Sequence, residues 1–246
     1  MGVVETLALS MGGAWASGVN LYGTVVVLGM MDNFGLIDLP PDLQILASWW
    51  VLALATFLYL IEFVADKIPI VDSVWDAIHT FIRIPAGALL AAGAMSGLDA
   101  GMGEGLQTAI SLLVGGTIAA GSHFTKAGSR AAINTSPEPV SNTIASVTED
   151  VAVFGALYTV AFHPVVFFVL FAVFVLLLIW LVPKIWRFIG QVFGNARHPA
   201  AAYGHAKAQQ TGPNMGGFGK LDLSGASDTT TLPPNSSESG PKLPPH

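Results

Sequence analysis

Apolar residues in this chain gather into long runs rather than into the alternation of half-buried strands or the single stripe of a soluble helix. Runs at 6–31, 43–65, 84–97 (extendable backward), 106–124, 148–162 and 164–182 approach the roughly 20 residues with which a helix crosses a bilayer. The stretch from Val151 to Val182 is too long for one crossing. It divides at His163-Pro164, because proline disfavours helix in the residue before it and suits the first turn of the next helix. The expected fold is an all-α polytopic membrane protein of about six transmembrane helices, with five as the alternative because the fifth run is short.

Two segments break the apolar pattern. Between the second and third runs, Val71, Val74, Trp75, Ile78 and Ile82 recur at helical spacing, with Asp72, Asp76, His79 and Arg83 on another stripe. This predicts an amphipathic helix over 69–83 lying at the cytoplasmic interface, its polar stripe toward water. Residues 191–246 are rich in Gly, Pro, Ser, Thr and Asn, a composition that cannot bury enough apolar surface to order itself, and are expected to form a disordered cytoplasmic tail.

Charge sharpens the picture. Only 11% of the 246 residues are charged, against roughly 25% in a soluble domain. The connections 32–42 and 98–105 carry Asp32, Asp38, Asp42, Asp99 and Glu104 and no Lys or Arg. Lys67, Arg83, Lys126, Arg130 and the basic residues of the tail all fall on the other side of a six-span arrangement. The positive-inside rule makes that side cytoplasmic, together with both termini. Helical spans favour a bacterial inner membrane. The N-terminus has no basic stretch of the signal-peptide kind, so the first run is expected to be retained. There is no cysteine, which excludes disulfides, thiolate metal sites and cysteine nucleophiles.

A short pattern occurs twice. Gly12-Gly13-Ala14-Trp15-Ala16-Ser17-Gly18-Val19-Asn20 shares four of nine positions with Gly115-Gly116-Thr117-Ile118-Ala119-Ala120-Gly121-Ser122-His123. Each copy lies in the first span of a set of three. Residues 1–105, including 69–83, and 106–190 therefore read as two three-helix repeats of inverted orientation, an arrangement typical of transporters. The pairs Gly12/Ala16, Ala14/Gly18, Gly87/Ala91 and Gly115/Ala119 allow helices to approach closely.

Candidate chemistry follows from polar residues in apolar surroundings. Asn20 and His123 close the two copies and would lie at mirrored depths about the midplane. His123, Lys126, Arg130 and Asn134, spaced 3, 4 and 4, share one helix face. They suit an anion, a lipid phosphate or an internal acidic partner, for which Glu62 and Asp66 are the natural counter-charges. Asn20, Tyr22, Thr24, Glu62, Asp66, His123, Lys126, Arg130 and Asn134 form the expected substrate or ion path. Asp72, Asp76 and His79 have a spacing that metal sites use, but no complete metal motif is present and no metal or cofactor is expected. Glu149-Asp150 suits the first turn of a helix. No catalytic triad, phosphate loop or nucleic-acid patch is present, so neither an enzyme nor a nucleic-acid partner is expected.

Two longer stretches carry a family resemblance. Glu62-Phe-Val-Ala-Asp-Lys-Ile-Pro69 with Asp72, Trp75-Asp76 and His79-Thr-Phe-Ile-Arg83 is the first. His123-Phe-Thr-Lys-Ala-Gly-Ser-Arg130, Asn134-Thr-Ser-Pro-Glu-Pro-Val-Ser-Asn142, Ser146 and Glu149-Asp150 make the second. Over about residues 5–190 the chain resembles an uncharacterised bacterial integral-membrane family, a domain of unknown function. The resemblance implies membrane location and no particular activity. The residues themselves point to a small transporter or channel for a small ion, solute or anionic headgroup. The alternative is a non-transporting scaffold or assembly factor whose polar cluster is structural. Besides the bilayer, a second copy of the chain is a candidate partner through the Gly-rich faces.

Overall fold

A computed structural model describes residues 1–134 and 139–195, and all regular structure among them is helical. The helices are α1 (Val3–Val19), α2 (Leu21–Asn33), α3 (Trp49–Ala65), α4 (Pro69–Met95), α5 (Glu104–Ile133), α6 (Pro139–Phe162) and α7 (Pro164–Asn195). A short 3-10 helix, Pro41–Ala47, precedes α3. Met1–Gly190 form one compact unit. The expectation of a disordered tail falls, from residue 196 on, outside the described residues. Val71–Met95, Glu104–Ile133 and Val140–Phe162 are long and apolar enough to cross a membrane. Pro41–Ala47 with Trp49–Ala65, bent by 64°, makes a fourth if counted as one span. Proline opens α4, α6 and α7, where its missing N–H is not needed, and the division at His163-Pro164 falls where expected.

The first apolar run is not one crossing. Asn20 is extended (φ −144°, ψ 94°), and its side chain accepts a 2.8 Å hydrogen bond from the Gly23 amide, capping α2 while ending α1. The chain then reverses. Ser10 donates to the Ala91 carbonyl (3.1 Å) near the end of α4, and Tyr22 meets His79, three turns earlier in α4. Gly29 then packs back against the Leu46 carbonyl, and a Cβ on Gly13 would lie 4.0 Å from Leu28. A continuous helix would separate residues 13 and 28 by about 22 Å. α1 and α2 therefore form a hairpin that enters from the end holding the acidic connections and turns at Asn20.

The hairpin corrects three expectations. α1 runs antiparallel to α4 (Ser10 to Ala91, Ala14 to Gly87), and α4 runs antiparallel to α5 (Ala91 to Gly115, Thr80 to His123). The two glycine copies, in α1 and α5, are thus parallel rather than inverted. Asn20 and His123 lie toward the same end instead of at mirrored depths. The start of α1 lies at the acidic end of the bundle, whereas α7 runs from Phe167 beside Gly12 to Leu178 beside Gly121, toward the other end. The two ends of the bundle chain therefore do not share a face.

The glycines serve close packing, as expected. A Cβ on Gly18 would collide with Ser122 Oγ and the Ala119 carbonyl. One on Gly87 would strike Ala119 Cβ and lie 2.6 Å from Ser17 Oγ, and one on Gly115 would strike Ala91. α1, α4 and α5 meet in this knot of small residues, where backbone approach substitutes for the hydrophobic drive missing between helices in lipid.

The segment 69–83 is not a separate interfacial helix. It is the first half of the 27-residue α4, which passes through Pro85 unbroken. Its polarity is turned inward: Asp72, Asp76, His79 and Arg83 are buried, while Val74, Ile78 and Phe81 are exposed, Phe81 at 83%. Trp50, Phe57, Leu60 and Val64 of α3 likewise face out. An apolar exterior around a charged interior is the arrangement that lipid, not water, selects.

Candidate functional site

Two antiparallel stripes build the site. Asp72, Asp76, His79 and Arg83 follow a 4-3-4 spacing on α4, and His123, Lys126, Arg130 and Asn134 follow 3-4-4 on α5. Because the helices run in opposite directions, the stripes pair in reverse order. Thr80 and Arg83 meet His123, Asp76 meets Lys126, and Asp72 meets Arg130 and Asn134. The end of α3 adds Glu62 and Asp66, and α6 adds Asn142 from its first turn and Glu149 and Asp150 from its middle.

Three cations hold the centre. Arg83 has no exposed surface. It donates through Nη2 to Glu62 Oε1 and through Nη1 to Asp76 Oδ1 (2.8 Å). Lys126 Nζ reaches Asp66 Oδ2 at 3.0 Å and Glu62 Oε1 at 3.4 Å, with Glu149 and Asp76 at 3.7 and 3.8 Å. Arg130 grips Glu149 through Nε (3.1 Å) and Nη2 (2.6 Å), and its Nη1 donates to the carbonyls of Asp66 (2.9 Å) and Asn142 (3.2 Å). Fork-to-fork pairs of this kind are the strongest available to buried charges. Glu62 and Asp66 are therefore the counter-charges of Lys126, as their positions suggested, and Asp66 also faces Arg130 at 3.5 Å.

The histidines are fixed by their neighbours. Thr80 Oγ1 donates to the Asp76 carbonyl (3.0 Å) and so accepts from His123 Nε2 (2.7 Å), while His123 Nδ1 faces Arg83 Nη1 at 3.4 Å. A guanidinium only donates, so the Arg83 contact is satisfied by the tautomer with the His123 proton on Nε2. His79 lies between the Trp75 carbonyl (2.8 Å) and the Tyr22 hydroxyl (3.0 Å), its ring stacked on Trp75.

The hairpin tip closes the network on its far side. Asn20 Nδ2 donates to Asp150 Oδ1 (2.8 Å), and Tyr59 OH donates to Asp150 Oδ2 (3.3 Å). Of the nine expected path residues, Asn20, Glu62, Asp66, His123, Lys126 and Arg130 meet in or against the network. Tyr22 bonds His79 on the α4 stripe beside it. Asn134 bridges Asp72, Ser73 and Asn142 at the end of the network opposite Asn20. Thr24 is buried but bonds only the Asn20 carbonyl of its own helix (2.7 Å).

Sequence reasoning missed Arg83, Asp72, Asp76, Glu149 and Asp150 as members. The usable signal was the match between the α4 stripe and the α5 stripe, equal in length and opposite in charge. Arg83, Lys126 and Arg130 are buried here and do not act as surface anchors, so they contribute nothing to a positive-inside count. Among the described residues no three His, Asp or Glu side chains are grouped so as to hold a metal ion. Asp72 points to Arg130, Asp76 to Arg83 and His79 to Tyr22.

The network has more acid than base. Glu62, Asp66, Asp72, Asp76 and Glu149 lie within 4.0 Å of one or more of three cations, and Asp150 adds a sixth carboxylate held by the neutral donors Asn20 and Tyr59. One oxygen each of Glu62, Asp66, Asp72 and Asp76 is buried without a hydrogen-bond partner. Burying charge costs several kcal/mol per ion unless it is paired, so the surplus marks this region as more than a set of balanced bridges.

No curated protein and no solved structure matches the chain. A family model described as a domain of unknown function, DUF4126, matches residues 7–184 and so covers most of α1, all of α2 to α6, most of α7 and every member of the network. The chain therefore belongs to the DUF4126 family.

Proposed function

We propose that the chain is a small membrane transporter or channel whose polar path runs through the buried network beneath the hairpin tip. One observation carries the reading. A hairpin that stops short of crossing ends its two helices, with their free backbone groups, against a charged interior. Irregular backbone at membrane depth is tolerated where it is buried in protein or lines a cavity, and broken helices of this kind surround the substrate sites of transporters. In this reading the hairpin α1–α2 and five crossings, α3 to α7, replace six crossings in two inverted halves. The end with Lys67 and Lys184 faces the cytoplasm of a bacterial cell, and the start of α1 and the acidic connections face outward. Asn20 and Asp150 form the outer boundary of the path, and Asp72 and Asn134 the inner one. The substrate class is a small ion or a solute moved with one.

The ion pairs also favour a second reading, a non-transporting scaffold in which the network is structural. Reconstitution in liposomes separates the two. Proton, cation or anion flux that is lost in Asp150→Asn, in protein that still folds, supports transport. A wild type that moves none of them, with Glu62→Arg/Arg83→Glu restoring the stability that each single change removes, supports the scaffold.

A further inference from the structure

The surplus of carboxylates raises the question of what balances it. Five of the six acids are satisfied in part. Glu62 and Asp76 share Arg83, Asp66 has Lys126 at 3.0 Å, Glu149 has Arg130 at 2.6 Å, and Asp150 accepts from Asn20 and Tyr59. Asp72 stands apart. It has no exposed surface, and its nearest cation is Arg130 Nη1 at 4.0 Å, a guanidinium already committed to Glu149 and two carbonyls. Its Oδ1 has no hydrogen-bond partner, and its Oδ2 has one weak donor, Asn134 Nδ2 at 3.3 Å. The charged groups that bear on it are Arg130 from α5, Asp66 from α3, and Asp76 on its own helix, so two of the three are like charges. An isolated carboxylate in such a place takes up a proton rather than remain charged.

We propose that Asp72 is a proton-binding site and that the proton is the ion this protein moves or couples to. A solvent proton adds to Asp72 Oδ1, turning the carboxylate into a neutral carboxyl and bringing one positive charge into the acid-rich network. Release returns it to solvent. Asp72 lies close to the surface: Asn134 Nδ2 donates to both Asp72 Oδ2 and Ser73 Oγ (3.0 Å), and Ser73 is exposed at the basic end of α4. Proton binding needs no convergence of three ligands, whereas a metal ion does, and no such convergence is present among the described residues. The coupling role rests on the transport reading above, but the binding itself does not.

Infrared spectroscopy of the purified protein in lipid tests the binding. At neutral pH the wild type shows the carbonyl stretch of a protonated carboxyl. Asp72→Asn, the neutral isostere, loses it and keeps the thermal midpoint, and Asp99→Asn in an exposed connection changes neither. A wild type without the band, a band that survives Asp72→Asn, or a midpoint that falls because Arg130 has lost a charged partner overturns the proposal. Should Asp72→Asn fail to fold, Asp72→Glu keeps a carboxyl in a shifted setting, and a band that does not move overturns it equally. Liposome uptake driven by a pH gradient tests the coupling, with a loss of about tenfold or more expected in Asp72→Asn. Ion flux that ignores the pH gradient and the substitution sinks this inference and leaves transport standing. The infrared band without flux of any ion does the reverse.

Discussion

Arg83 fixes the centre of the molecule by directing the two ends of its guanidinium at different helices, Glu62 on α3 and Asp76 on its own α4. Removing one partner of such a buried pair leaves the other charged and alone, which costs about 3–5 kcal/mol. Arg83→Met is expected to lose that much in detergent unfolding, and a loss under about 1 kcal/mol would show that the charges there are hydrated. Lys67 is the contrast. It lies over the Phe63 ring and bonds the Phe63 carbonyl at the edge of the bundle, so Lys67→Ala is expected to cost no more than about 1 kcal/mol in the same assay. The sequence showed part of this plainly. Glu62 ends a run of apolar residues and faces Lys126 because a charge in that position must have a partner. Arg83 was harder to read, because an amphipathic stripe is the same on paper whether its polar side meets water or a neighbouring stripe.

At the scale of elements, the small-residue knot and the hairpin turn set the geometry. Gly18→Val would drive a side chain into the Ala119 carbonyl, which is backbone and cannot step aside. It is expected to separate α1 from α5 and to cost at least the ~1–3 kcal/mol of core overpacking, read as a lower thermal midpoint. Gly128→Ala, where nothing lies within 4 Å, is the neutral comparison. Asn20→Ala removes both the cap of α2 and the donor to Asp150, so its cost should exceed the ~1 kcal/mol of a lost cap alone, and Asn20→Asp should restore the cap but not the donor. The glycines were legible as packing residues, because few other side chains allow such approach. Their relative direction was not. A turn on a single asparagine leaves no Pro or charged run in the sequence, so the hairpin reads as one long span.

At the scale of the whole molecule, the absence of cysteine makes topology directly measurable. Val3→Cys and Leu36→Cys, both exposed at the acidic end, are expected to react together with an impermeant thiol reagent added from one side. Ile68→Cys should react only from the other. Joint labelling of Val3→Cys and Ile68→Cys would restore six crossings with both termini on one face. The inward-facing polar stripe of α4 also bears on how the protein is made. Asp72 and Asp76 emerge from the ribosome roughly 50 residues or more before Arg130 and Lys126, their cationic neighbours on α5 in the finished bundle. A helix with that stripe partitions poorly into lipid by itself. The nascent α4 is therefore expected to wait beside the insertion machinery until α5 arrives, and the two to enter the bilayer as a pair. A chain arrested before residue 110 should leave α4 extractable by carbonate, and one extended past residue 140 should not.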